Sequence, residues 1–164
     1  MPSADEEIAS GEAALSRLDY ETAFKHFDKA TKLDTKNPIA FFGKAEAALG
    51  IPTEEAENIL AWYRKAIELE PENPQFREAV ASLCMDLGRF NEAEQAYGKA
   101  AELDKDNAFF YYSEFAIHYR TKAPVVMEQF LDEKTKDMIA QKSLNYVLKA
   151  LNMNRDEAKR LLSQ

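Results

Sequence analysis

One six-residue string returns along the chain. Lys29-Ala30-Thr31-Lys32-Leu33-Asp34 recurs as Lys65-Ala66-Ile67-Glu68-Leu69-Glu70 and Lys99-Ala100-Ala101-Glu102-Leu103-Asp104, and more faintly as Lys149-Ala150-Leu151-Asn152-Met153-Asn154. The spacings are 36, 34 and 50 residues. A period in this range marks an array of small structural units, each unable to bury its apolar face alone. Three and seven residues before each alanine stand further members of the pattern: Ala23/Phe27/Ala30, Ile59/Tyr63/Ala66, Ala93/Tyr97/Ala100 and Ser143/Val147/Ala150. Offsets of four and three put each trio on one stripe of a helix, where small residues admit a neighbouring helix and the larger one fills the space beside it.

A second helical segment precedes each copy. Asn37-Pro38 and Asn73-Pro74 supply a capping side chain followed by proline at the first helical position, and Ser3-Ala4-Asp5-Glu6 reads as a capping box. Asn154-Arg155-Asp156-Glu157 offers a similar start to a last short helix. Gly88, in Leu87-Gly88-Arg89-Phe90, suits the left-handed residue that ends a helix, and Leu18 stands at that place in the first unit.

Helix, short turn and helix at a period near 34 resembles the tetratricopeptide repeat. The resemblance implies an all-α fold, a right-handed superhelical stack of antiparallel helix pairs, with repeats over about 4–37, 38–73, 74–107 and 108–154. We expect a single domain over 1–164, in which three regular repeats precede a fourth that carries an insert at about 121–136. Pro124 is expected to open a helix in that insert, with Val126, Met127, Phe130 and Leu131 on its apolar face. The segment 155–163 is expected to form a capping helix that covers the end of the stack with Ala158, Leu161 and Leu162.

Composition narrows the function. The net charge of −8 disfavours nucleic acid, whose binding draws on clustered Lys and Arg, and anionic membranes likewise. Charge is uneven: residues 121–164 are mildly basic and the remainder carries −10. The start of the chain has no apolar signal core, and no stretch approaches the roughly 20 apolar residues of a membrane span. Cytoplasm is the expected location.

No catalytic or cofactor chemistry is expected. His26 and His118 lie outside metal-ligand spacing of each other and of Cys84, so no metal site is expected. His118 reads as a packing residue beside Phe115 and Tyr119, and His26 as an exposed one. Cys84, the single cysteine, reads as a buried small hydrophobe. Acidic pairs such as Glu54-Glu55 follow helix starts, where carboxylates meet the helix dipole favourably. The five glycines are too scattered for a phosphate loop. Trp62 is expected to pack at a partly exposed site.

The resemblance implies a concave surface lined by the first helix of each repeat. Its positions fall here on Ile8, Glu12 and Leu15; on Ile39, Phe42, Glu46 and Leu49; on Gln75, Glu78, Ser82 and Met85; and on Phe109, Tyr112, Ala116 and Tyr119. Aromatic and aliphatic anchors with a run of carboxylates fit a protein or peptide segment with apolar anchors and positive charge. Family members that grip the acidic tails of large chaperones use a clamp of Lys, Asn, Asn, Lys and Arg. Those places hold Ile8, Glu12, Gly43, Gln75 and Ala79, so such tails are not expected to bind. The function implied is a non-enzymatic scaffold or adaptor. The alternatives are a regulatory subunit of an enzyme complex and a homo-oligomeric, self-assembling scaffold.

Overall fold

A computed structural model describes residues 1–153 and 155–163, and the side chains of all of these except Glu157, Ala158, Leu161 and Leu162. The described residues contain nine α-helices and no strand. The chain divides into two compact units, Met1–Phe76 and Arg77–Gln164.

The first unit holds α1 (Ala4–Leu15), α2 (Tyr20–Leu33), α3 (Pro38–Leu49) and α4 (Ala56–Leu69), and ends in the first turn of α5 (Pro74–Asp86). Helices α1, α3 and α5 begin where the caps predict. Ser3 Oγ accepts from Glu6 N at 3.2 Å while Glu6 Oε2 accepts from Ser3 N at 3.0 Å, a complete capping box. Asn37 Oδ1 accepts from Ile39 N at 3.0 Å and Ala40 N at 3.3 Å, ahead of Pro38. Asn73 Oδ1 accepts from Gln75 N at 3.1 Å at the head of α5.

The core of this unit is built from small residues closing around one ring. Ala14, Ala23, Ala30, Ala40 and Ala47 are fully buried around Phe27. A Cβ added to Gly11 of α1 would stand 2.8 Å from the Phe27 ring, and one added to Gly43 of α3 would penetrate it. Phe27 therefore fills the space that two glycines leave open, the aromatic-beside-small packing that the repeated trio predicts.

The second unit holds the rest of α5, α6 (Phe90–Leu103), α7 (Ala108–Val126), α8 (Glu133–Ala150) and α9 (Arg155–Leu162). A 3-10 turn, Lys105–Asn107, leads into α7, and a second, Glu128–Phe130, lies between α7 and α8. Gly88 turns the chain between α5 and α6 at φ +72°. Phe115 anchors the interior: it stacks on Tyr119 at 5.3 Å, meets Tyr146 of α8 at 4.5 Å and stands 6.4 Å from Tyr97 of α6. Phe90 closes edge-on against Tyr119 at 5.3 Å.

The insert departs from expectation. Pro124 does not open a helix; α7 runs through it to Val126. Near a helix end the missing N–H forfeits only one hydrogen bond, and the turn closes beyond it through Met127 N donating to Ala123 O at 2.9 Å. The added length goes into both members of the pair: α7 has 19 residues and α8 has 18, against 12 to 14 in α1 to α6. Lys122 pairs with Asp86, and Val126 lies beside Gly88, so the extended end of α7 leans on the α5–α6 turn. The insert's apolar residues are largely uncovered, with Val126 57% and Phe130 76% exposed. The expected cover by Ala158, Leu161 and Leu162, and the cap at Asn154, lie outside the described residues.

Candidate protein-binding surface

In the first unit the predicted surface rests on α1 and α3. Its positions on α3 recur at intervals of three, four and three residues, so Ile39, Phe42, Glu46 and Leu49 share one face. Ile39 is 39% and Leu49 50% exposed, while Phe42 and Glu46 are half-buried. Phe42 lies 4.8 Å from Phe76 and 5.7 Å from Tyr63, so its ring is fixed from behind. Glu46 accepts a hydrogen bond of 2.5 Å from the Tyr63 hydroxyl. Burial, and then the Glu46 carboxylate, push Tyr63 ionisation far above its ordinary value. One lobe of Glu46 is thus committed to holding α3 on α4. On α1, Glu12 is exposed, Leu15 half-buried and Ile8 buried. Gln75, at the end of this unit, is exposed.

In the second unit Ser82 is exposed and Glu78 half-buried, whereas Met85 belongs to the core. On α7 the predicted set separates by depth: Phe109 is 57% exposed, Tyr112 half-buried, and Ala116 and Tyr119 buried. The neighbouring aromatics divide in the same way, with Phe110 exposed and Tyr111 and Phe115 buried. Tyr112 is braced by Tyr146 at 6.0 Å and by the Lys149 ammonium 4.5 Å from its ring. Within the first unit Glu12, Ile39, Leu49 and Gln75 are exposed, backed by Leu15, Phe42 and Glu46; within the second, Ser82 and Phe109 are exposed, backed by Glu78 and Tyr112. Ile8, Met85, Ala116 and Tyr119 serve packing.

Sequence reasoning missed three polar arrangements that join residues far apart in the chain. His26 Nδ1 stands 2.6 Å from Oε2 of buried Glu7, and that hydrogen bond holds the Glu7 carboxyl below the usual range. His26 is half-buried by this partnership rather than simply exposed. Lys44 bonds Asp28 at 2.6 Å and lies 4.5 Å from the Trp62 ring and 5.2 Å from that of Phe24. Burial works against Asp28 ionisation, yet the hydrogen bonds from Lys32 and Lys44 outweigh it and keep the carboxyl below its ordinary value. In the second unit Glu94 accepts from the Tyr146 hydroxyl at 2.7 Å and pairs with Lys142, whose ammonium lies 5.3 Å from Tyr119. No local motif encodes such pairs. His118 behaves differently from the expected packing residue, being half-buried with its Nε2 3.0 Å from Glu114. Cys84 is buried as expected.

Comparison with known proteins identifies a tetratricopeptide repeat over residues 75–107. The chain is 34% identical over 97 residues to the STIP1 homolog of Dictyostelium discoideum, covering 59% of this chain and 17% of that protein. It is 31% identical over 104 residues to the Hsp70-Hsp90 organizing protein of Triticum aestivum, covering 63% and 18%. A TPR repeat-containing protein of Methanocaldococcus jannaschii matches 85% of this chain at 24% identity, over 25% of its own length. The chain thus spans a quarter or less of these relatives. Among solved structures MamA has the same fold, with a TM-score of 0.72 at 17% identity over 95% of this chain and 81% of that one. YrrB, a TPR protein, follows with 0.62 at 16% identity over 99% and 93%. The repeat match and these relatives support the tetratricopeptide-repeat family for this chain.

Proposed function

We propose that this tetratricopeptide-repeat protein is a non-enzymatic adaptor that holds a peptide segment of a partner protein against the first helices of its repeats. The observation that carries the reading is the face of α3, where exposed Ile39 and Leu49 flank a braced Phe42. Apolar side chains left accessible on a rigid helix lose little entropy when a partner covers them, which favours them as anchors. Exposed Glu12 on α1 and Phe109 on α7 add a negative charge and a second aromatic anchor. A partner segment bearing apolar anchors and Lys or Arg complements them. YrrB, which shares the fold, is a TPR protein with an unusual peptide-binding site, and this supports a peptide as the ligand.

The wheat relative is named for organizing Hsp70 and Hsp90. We do not extend that role here. Of the five positions that clamp an acidic tail in such proteins, Ile8 is buried, Gly43 is pressed against Phe27, and Glu12 carries the wrong charge. Gln75 and Ala79 supply no cation.

Selection from a random peptide library, followed by calorimetry, tests the proposal. Peptides with apolar anchors and a basic residue should emerge with micromolar affinity, and Ile39→Ala combined with Phe109→Ala should weaken them at least tenfold. Enrichment of acidic carboxyl-terminal peptides, or affinity indifferent to that double substitution, would remove the surface from the account.

A further inference from the structure

A carboxylate stands among the apolar residues on one face of α3. Ile39 and Phe42 precede Glu46 on that face and Leu49 follows it. At a rise of 1.5 Å per residue, Glu46 lies about 6 Å along the helix from Phe42 and about 4.5 Å from Leu49. Its side chain is half-buried. A charge held partly out of water among apolar neighbours costs free energy unless a partner meets it.

One such partner lies within the chain. Tyr63 of α4 is fully buried, and its hydroxyl donates to Glu46 Oε1 at 2.5 Å. Burial, and then the nearby carboxylate, keep that hydroxyl protonated far above the ordinary tyrosine range, so it remains a donor. The donor is neutral. It fixes the carboxylate in position and leaves the negative charge in place. Lys44, two residues earlier on α3, turns its ammonium to Asp28 at 2.6 Å and to the Trp62 ring at 4.5 Å. The other carboxylate of the predicted surface in this unit, Glu12, is exposed on α1. There, water screens the charge, and a mobile side chain gives up entropy to form a pair.

We infer, on the peptide-binding reading proposed above, that Glu46 selects a Lys or Arg side chain in the bound segment, with Tyr63 as the positioning residue that holds its carboxylate. Ile39 and Phe42 lie on one side of Glu46 and Leu49 on the other, so the basic residue of the partner stands between two apolar anchors and not beyond them. A carboxylate already fixed gives up less entropy on pairing than a free one.

Calorimetry on the full chain tests this with a selected peptide that carries one interior lysine, and with the same peptide carrying norleucine there. Norleucine keeps the hydrocarbon stem and lacks the ammonium. The wild-type chain should bind the lysine peptide about tenfold more tightly, the scale of a hydrogen bond to a charged group. Glu46→Gln, which keeps an acceptor for Tyr63, should abolish that preference. Tyr63→Phe, which keeps the buried ring and the Glu46 charge, should weaken the lysine peptide severalfold and leave the norleucine peptide unchanged. Glu12→Gln should leave the preference intact. Should Tyr63→Phe disturb the circular dichroism, the two glutamate variants decide. A lysine preference that survives Glu46→Gln, equal weakening of both peptides by Tyr63→Phe in a folded chain, or a preference abolished by Glu12→Gln would overturn the inference while leaving peptide binding standing. If no peptide binds at Ile39 and Phe42, the reading beneath it falls as well.

Discussion

Leu18 sits at φ +60°, the left-handed conformation that Gly88 adopts at the corresponding turn of the third repeat. A side chain there costs roughly 1–2 kcal/mol, and Leu18 is 70% exposed, so it recovers little by packing. Leu18→Gly should therefore stabilise the protein, by about 0.5–1 kcal/mol once glycine's greater freedom in the unfolded chain is allowed for, in a urea titration. Gly43 presents the opposite case. Gly43→Ala should destabilise by about 1–3 kcal/mol through overpacking against Phe27, and adding Phe27→Leu should recover part of that loss in a double-mutant cycle. The tyrosines give a pH prediction. Burial suppresses the ionisation of Tyr63, Tyr97 and Tyr146, holding their pKa values above the ordinary 10.0, and pushes that of Tyr111 up to about 12. A raised folded-state value means stability is intact below pH 10 and falls as pH climbs above it, because the unfolded chain releases these protons first. Absorbance at 295 nm should show four of the seven tyrosines ionising only above pH 10, the most buried ones together with cooperative unfolding.

At the scale of elements, most boundaries were legible because they rest on local chemistry. Ser3, Asn37 and Asn73 cap the helices that their side chains announce, and each trio around Phe27, Tyr63 and Tyr97 lands in the interior. Asn37→Ala should cost about 1 kcal/mol in thermal or urea unfolding, since two backbone donors of α3 lose their acceptor. The insert was legible in place but not in form. Pro124 reads equally well as a helix start or as a residue tolerated in a last turn, and only the packing of Lys122 and Val126 against the α5–α6 turn decides for the second. Depth along α7 was hidden for a related reason: five aromatics stand between 109 and 115, and periodicity alone does not say which of them α6 and α8 cover. The cation–aromatic contacts of Lys44 and Lys142 were out of reach, because each depends on helices meeting across long stretches of chain.

For the whole molecule, the repeat spacing and the relatives agree on a tetratricopeptide-repeat fold, which supports the proposal that the chain presents a surface to a protein partner. With a net charge of −8, binding of a basic partner should weaken as salt rises, chiefly through slower association. A chemical-shift map of the chain with a selected peptide tests the central claim most directly. The account predicts the largest perturbations at Ile39, Phe42, Leu49, Phe109 and Tyr112, with α2, α4 and α6 nearly silent. Perturbations confined to those second helices would contradict it.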